Sequence, residues 1–144
     1  MRDVSGEVLR LSPNSTLRVL SPGPGALVVE ASYDRGDPPP PHFHPAQDER
    51  FEVLDGGMRV VIDGEERVLR AGEELETPRE TIHQMWNPEE ATARVLWETR
   101  PPGRTEEFFR GMHEVMPEDG SMPDMEALLA HVARFDDTMR LALP

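Results

Sequence analysis

His42 and His44 are separated by one residue, Glu49 follows on the next stretch of chain, and His83 lies far downstream. Imidazole nitrogens and a carboxylate oxygen are ligands for transition-metal ions. In a β-strand alternate side chains share a face, so His42 and His44 project together while Phe43 turns away. A strand, a turn and a second strand would present these four groups to one cation, held by imidazoles and one carboxylate.

The totals of the chain narrow what else it can do. At 144 residues it is expected to form one domain with a real core. Cysteine is absent, which removes disulfides, thiolate nucleophiles and Cys-ligated zinc or iron–sulfur sites. All 15 basic residues are Arg and none is Lys, so a lysine Schiff base or lysine general base is excluded. The formal charge of −13 would repel nucleic-acid phosphates, and solubility is the plain reading of that acidity. Met1 to Asn14 shows no apolar signal segment, and no apolar run reaches membrane-spanning length. A soluble cytoplasmic protein with no membrane partner is the expectation.

Elements able to position the ligands follow from pattern and punctuation. Glu7–Leu11, Thr16–Leu20, Ala26–Tyr33, Phe51–Leu54, Met58–Ile62, Arg67–Leu69 and Ala93–Thr99 read as short strands. Ser21-Pro22-Gly23-Pro24-Gly25 reads as a breaker, and the four prolines Pro38–Pro41 as a stiff loop that delivers His42. Asp55-Gly56-Gly57 and Asp63-Gly64 are hairpin turns, where positive φ favours these residues. Many short strands at this spacing predict a sandwich or closed barrel. Beyond Arg100-Pro101-Pro102-Gly103 the period becomes helical. One helix is predicted from Thr105, with Phe108, Phe109, Met112 and Met116 on its apolar face. A second is predicted from near Pro123, with Met125, Leu128, Leu129, Val132 and Phe135.

Two blocks carry a family resemblance. Gly36 is followed after five residues by His42-x-His44, then four residues, Glu49, six residues and Gly56; Gly72 is followed by Pro78, His83 and Asn87. This pair resembles the two signature motifs of the cupin superfamily, in the small single-domain form, at nine of ten positions. Glu80 stands where the second motif carries glycine, so either the turn there is reshaped or the carboxylate approaches the pocket mouth. The resemblance implies an all-β, double-stranded β-helix (jelly-roll) barrel over residues 21–102. N-terminal strands over 1–20 would be available for exchange in a homodimer, and a helical extension over 103–144 would complete the chain. It also implies that His42, His44, Glu49 and His83 converge on one divalent Fe, Mn, Ni, Zn or Cu ion inside the barrel.

Four protein ligands leave one or two positions open for water, dioxygen or substrate. Glu49 is a candidate catalytic base as well as a ligand. Phe51, Val53 and Met85 are expected as pocket walls, and Asn87 as a pocket residue or a strand-end residue that bonds only backbone. Trp86 and Trp97 are expected as core or interface anchors, and His113 and His131 as surface or helix-packing residues. A metal-dependent dioxygenase-like enzyme acting on a small organic molecule is the leading expectation. A non-redox isomerase, lyase or polyketide cyclase, or a binding or sensor module, are the alternatives; the latter gains from the lack of a Tyr or Lys evident near the ligands.

Overall fold

The computed structural model of the chain describes residues 7–22 and 25–142. Eleven strands among them are β1 (Val8–Ser12), β2 (Ser15–Pro22), β3 (Leu27–Tyr33), β4 (His42–Phe43), β5 (Asp48–Asp55), β6 (Gly57–Ile62), β7 (Glu65–Arg70), β8 (Glu74–Thr77), β9 (His83–Trp86), β10 (Ala93–Arg100) and β11 (Arg140–Leu141). Two helices, α1 (Thr105–Val115) and α2 (Met125–Ala133), separate β10 from β11. The strands form two antiparallel sheets, in the orders β1-β2-β3-β10-β5-β8 and β11-β4-β9-β6-β7. This is the sandwich that the strand pattern predicts, consistent with the jelly roll that the family resemblance implies.

Turn chemistry sets the registers. Gly56 has φ of 74°, and its missing Cβ would come within 2.9 Å of the Ala93 backbone. Only glycine allows β5 to turn into β6 there without moving β10. Asp63 and Gly64 both have positive φ, as the tight β6–β7 hairpin requires.

Alternation then sorts the side chains. Glu49, Phe51 and Val53 on β5 face inward, as do Val95 and Trp97 on β10 and Val60 and Ile62 on β6. A second core joins Leu9, Leu17, Val19, Leu27, Val29 and Ala31 to Phe108, Phe109 and Phe135 from the C-terminal region. Tyr33 and Trp97 pack against both cores. The inner face of β1–β3 is therefore covered by helices where the inner face of β10, β5 and β8 is covered by the opposing sheet.

Several local expectations change. The breaker begins later than its prolines suggest: Ser21 pairs with Val28 and Pro22 with Leu27, while Gly23 and Pro24 lie outside the described residues. The extension is not helical throughout, since β11 adds to the edge of β4. On α2 the packed residues are His131 and Val132, and Met125 and Leu129 stay exposed. His131 fills that role because its Nε2–H donates to the Phe108 carbonyl at 2.9 Å and its ring stacks on Phe108.

The turn at Glu80 is not reshaped. Glu80 itself adopts φ of 68°, the left-handed conformation glycine would take, and its N–H donates to the His44 carbonyl at 2.8 Å. Its neighbour Arg79 anchors the turn by donating its backbone N–H and its guanidinium to Asp48. A side chain in this conformation is strained, and glycine is not. Glu80→Gly is therefore expected to raise stability by about 1 kcal/mol, after the greater freedom of glycine in the unfolded chain is subtracted. A urea unfolding midpoint lower than that of the parent protein would contradict this.

Candidate metal centre

Three short segments bring the ligands together. β4 is only two residues long, and His44 lies just beyond its end, yet the imidazole centroids of His42 and His44 are 5.2 Å apart. His42 pairs in register with His83 on β9, which sets those rings 4.4 Å apart. One nitrogen from each of His42, His44 and His83 falls within 4.8 Å of the others, as a shared metal ion requires. Glu49, inward on β5, brings Oε1 to 3.0 Å from His44 Nε2 and 3.2 Å from His83 Nε2.

The tautomers are set from outside the cluster. His44 Nδ1 lies 2.8 Å from the Thr138 carbonyl, and His83 Nδ1 lies 3.0 Å from the Thr81 carbonyl. A carbonyl can only accept, so each Nδ1 carries a proton and each Nε2 is the nitrogen turned towards Glu49. His42 Nδ1 makes a longer approach, 3.4 Å, to the Pro40 carbonyl. Metal-bound histidines are oriented in this way.

The remaining contact fits an absent cation. His44 Nε2 and Glu49 Oε1 are both buried, and neither has a hydrogen-bond partner. They stand 3.0 Å apart without the alignment of a hydrogen bond, and either a proton on Nε2 or a metal ion would join them. A positive ion between them would satisfy both. The donor set of neutral imidazoles and a carboxylate suits a divalent transition metal and does not distinguish Fe, Mn, Ni, Cu and Zn.

Titration follows the same geometry. Burial alone would push the Glu49 carboxyl up, but the charge and proximity of His44 and His83 outweigh it and hold Glu49 well below the usual carboxylate range. Burial lowers His44, yet the Glu49 charge prevails and raises it above its ordinary value. His42 is brought down to about 4 by burial and by its two imidazole neighbours, so it is neutral and ready to ligate.

The pocket expectations separate into two kinds. Phe51 and Val53 are buried beside Glu49 on the inner face of β5, and Met85 packs against the same core from β9. Asn87 is fully buried, but its amide donates to the Tyr33 and Ala91 carbonyls and its oxygen accepts from Glu89 N–H. Those bonds tie the strand end, as does Gly36 N–H donating to the Asn87 carbonyl. His113 accepts from Arg10 N–H, and His131 stacks on Phe108 within the C-terminal core, so both lie outside the metal cluster.

Three residues absent from the sequence-based site belong to its surroundings. Trp97 donates its indole N–H to Glu49 Oε2 at 2.8 Å. Alternation on β10 placed it indoors, but only the sheet register brings it to Glu49. Thr77 is the register partner of Glu49, and its buried hydroxyl has no hydrogen-bond partner. Tyr33 corrects the impression that no tyrosine is near: its phenol is pushed well above the ordinary value by burial and then by the Glu49 charge.

Known proteins share this fold. A family model described as Cupin domain matches residues 29–98. Over 84 residues the chain is 33% identical to quercetin 2,3-dioxygenase from Bacillus subtilis (strain 168), a match covering 58% of this chain and 24% of that protein. The match thus spans about a quarter of that curated relative's length. KdgF from Halomonas sp. superposes with a TM-score of 0.62 at 22% identity, covering 69% of this chain and 90% of the other. An RmlC-like cupin from Shewanella frigidimarina NCIMB 400 gives 0.63 at 20% identity, covering 69% and 87%.

Metal uptake should displace the proton that Glu49 favours on His44. Because the His44 value is raised above 6.5, binding at about pH 6 is expected to release about one proton per ion, and affinity should fall about tenfold per pH unit below the His44 pKa. Calorimetric titration with Co(II) in buffers of different ionisation enthalpy measures this. Affinity independent of pH between 5 and 8 would contradict it.

Proposed function

Since the chain belongs to the cupin superfamily, we propose that it is a metal-dependent, dioxygenase-like enzyme acting on a small organic molecule. The observation that carries this reading is the pair of buried, unpartnered atoms, His44 Nε2 and Glu49 Oε1, within a converging histidine cluster. The similarity to quercetin 2,3-dioxygenase supports the choice among reactions.

His42, His44, Glu49 and His83 would hold the ion. When bound, an ion of this kind supplies Lewis acidity and access to redox chemistry. The chain's own residues shape what reaches it. His42 is the ligand left partly accessible, whereas Glu49, His44 and His83 are buried, so approach is from the His42 side. Phe51 and Val53, buried in the core, and Met85, packed against it, form an apolar backing to the site that limits water there.

Glu49 is better suited to ligation than to taking a proton. Its low pKa makes it a weak base, and the Trp97 N–H holds Oε2 in place.

Reconstitution with Fe(II), Mn(II), Ni(II) and Cu(II), followed by oxygen-electrode assays on flavonol and enediol substrates, tests the proposal. Oxygen uptake matched to substrate loss is expected with at least one metal. In His83→Ala, metal affinity should fall by more than the ten- to hundredfold typical of outer-sphere changes. No uptake with any metal removes the oxygenase reading. Turnover of a substrate with Zn(II) and no oxygen dependence would move the assignment to non-redox chemistry.

A further inference from the structure

The C-terminal region beyond Arg100 lies outside the matched Cupin domain, yet it touches the surroundings of three of the four candidate ligands. His44 donates from Nδ1 to the Thr138 carbonyl at 2.8 Å, and Thr138 is itself buried. Gln47, buried between His44 and Glu49, brings Nε2 within 2.7–2.8 Å of the Pro101 and Pro102 carbonyls and the Thr105 hydroxyl. Trp97 donates to Glu49 Oε2, and its ring meets Phe109 of α1 edge-on at 5.1 Å between centroids. β11 pairs Leu141 with His42, and Ala142 N–H donates to the Pro41 carbonyl. His83 and His42 instead face carbonyls of their own motifs, at Thr81 and Pro40.

We propose that this extension is a working part of the metal centre, the turn carrying Thr138 positioning His44 directly and Phe109 of α1 positioning Glu49 through Trp97 of β10. The inference rests on the metal-binding reading above. The physical reason is directional. An imidazole held by Nδ1–H to a fixed carbonyl presents Nε2 along one line. A carboxylate whose Oε2 is held by an indole N–H presents Oε1 in one orientation. Releasing either contact leaves the ligand in place but free to rotate or change tautomer.

Arg104 is the clasp that holds the Thr138 turn. Its guanidinium donates to both oxygens of Asp137 and to the Arg134 carbonyl, and it lies 4.4 Å over the Phe135 ring. Because Arg104 is far from the ligands in the chain and makes its bonds at the surface, a change there probes the turn without touching the cluster.

Full-length Trp97→Phe and Arg104→Met are the variants of choice. Phe keeps a ring between Phe51 and Phe109 and removes only the N–H. Nitrogen-15 imidazole spectra of the metal-free protein at pH 8 read the His44 tautomer, and calorimetry with Co(II), with its absorption spectrum, reads affinity and ligand geometry. The parent protein is expected to show His44 as a single Nδ1–H tautomer. Arg104→Met should populate the Nε2–H form, and both variants should bind Co(II) about 10–100-fold more weakly with an altered spectrum. Retention of the parent tautomer in Arg104→Met, together with parent-like affinity and spectrum in both variants, overturns the proposal. If the parent takes up no Co(II), the metal reading falls, and the metal-free tautomer alone decides the role of the turn. If Arg104→Met fails to fold, the Co(II) affinity and spectrum of Trp97→Phe decide.

Discussion

A carboxylate buried against two imidazoles, all three oriented by partners outside the cluster, is the constraint around which this molecule is arranged. Taking Glu49 out of water costs several kcal/mol unless compensating charge is near. The compensation available is His44 and His83, at 3.0 and 3.2 Å from Oε1. Yet the carbonyls of Thr138 and Thr81 claim the Nδ1 protons of those rings and turn their Nε2 atoms inward. A cation at that point would satisfy the carboxylate and the Nε2 atoms that face it. Such a centre is a poor way to stabilise a fold and a good way to hold an ion.

The rest of the fold makes that concentration possible. Two antiparallel sheets supply apolar walls that keep water from screening the cluster, and the tight turn at Gly56 brings β5 and β6 together beneath it. The opposing sheet does not extend over β1–β3. The two C-terminal helices cover that part, and Phe108, Phe109 and Phe135 complete its core. Tyr33 and Trp97 sit at the junction of the two cores, so packing in one is transmitted to the polar atoms of the other. Among the described residues, Glu49 is the one buried carboxylate, and many of the others pair with Arg at the surface.

Much of this was legible in the sequence, for identifiable reasons. The two-residue period of a strand placed His42 with His44 and ranged Phe51 and Val53 with Glu49, and the Asp-Gly turns marked where strands reverse. Other features needed partners from distant chain. Asn87 was open between a pocket role and a backbone role, and its bonds to Tyr33, Ala91 and Glu89 are backbone ones. The α2 stripe read from hydropathy placed Met125 and Leu129 on the packed face, but a polar residue, His131, occupies it because Phe108 offers both a carbonyl and a ring. At Glu80 the sequence left open whether the turn would change shape; the Arg79–Asp48 anchor and the bond to His44 hold it in the strained form.

By itself, then, the amino-acid sequence indicated a β-rich sandwich or barrel, because strand alternation and turn residues act over a few positions, and its paired motifs, through the cupin resemblance, pointed to four candidate ligands. Tertiary structure alone decided which nitrogen each histidine presents, what holds the Glu49 carboxylate, and that the C-terminal region reaches the centre. Those outcomes depend on directional bonds between groups as much as 94 residues apart, and no local pattern encodes the register that makes them meet.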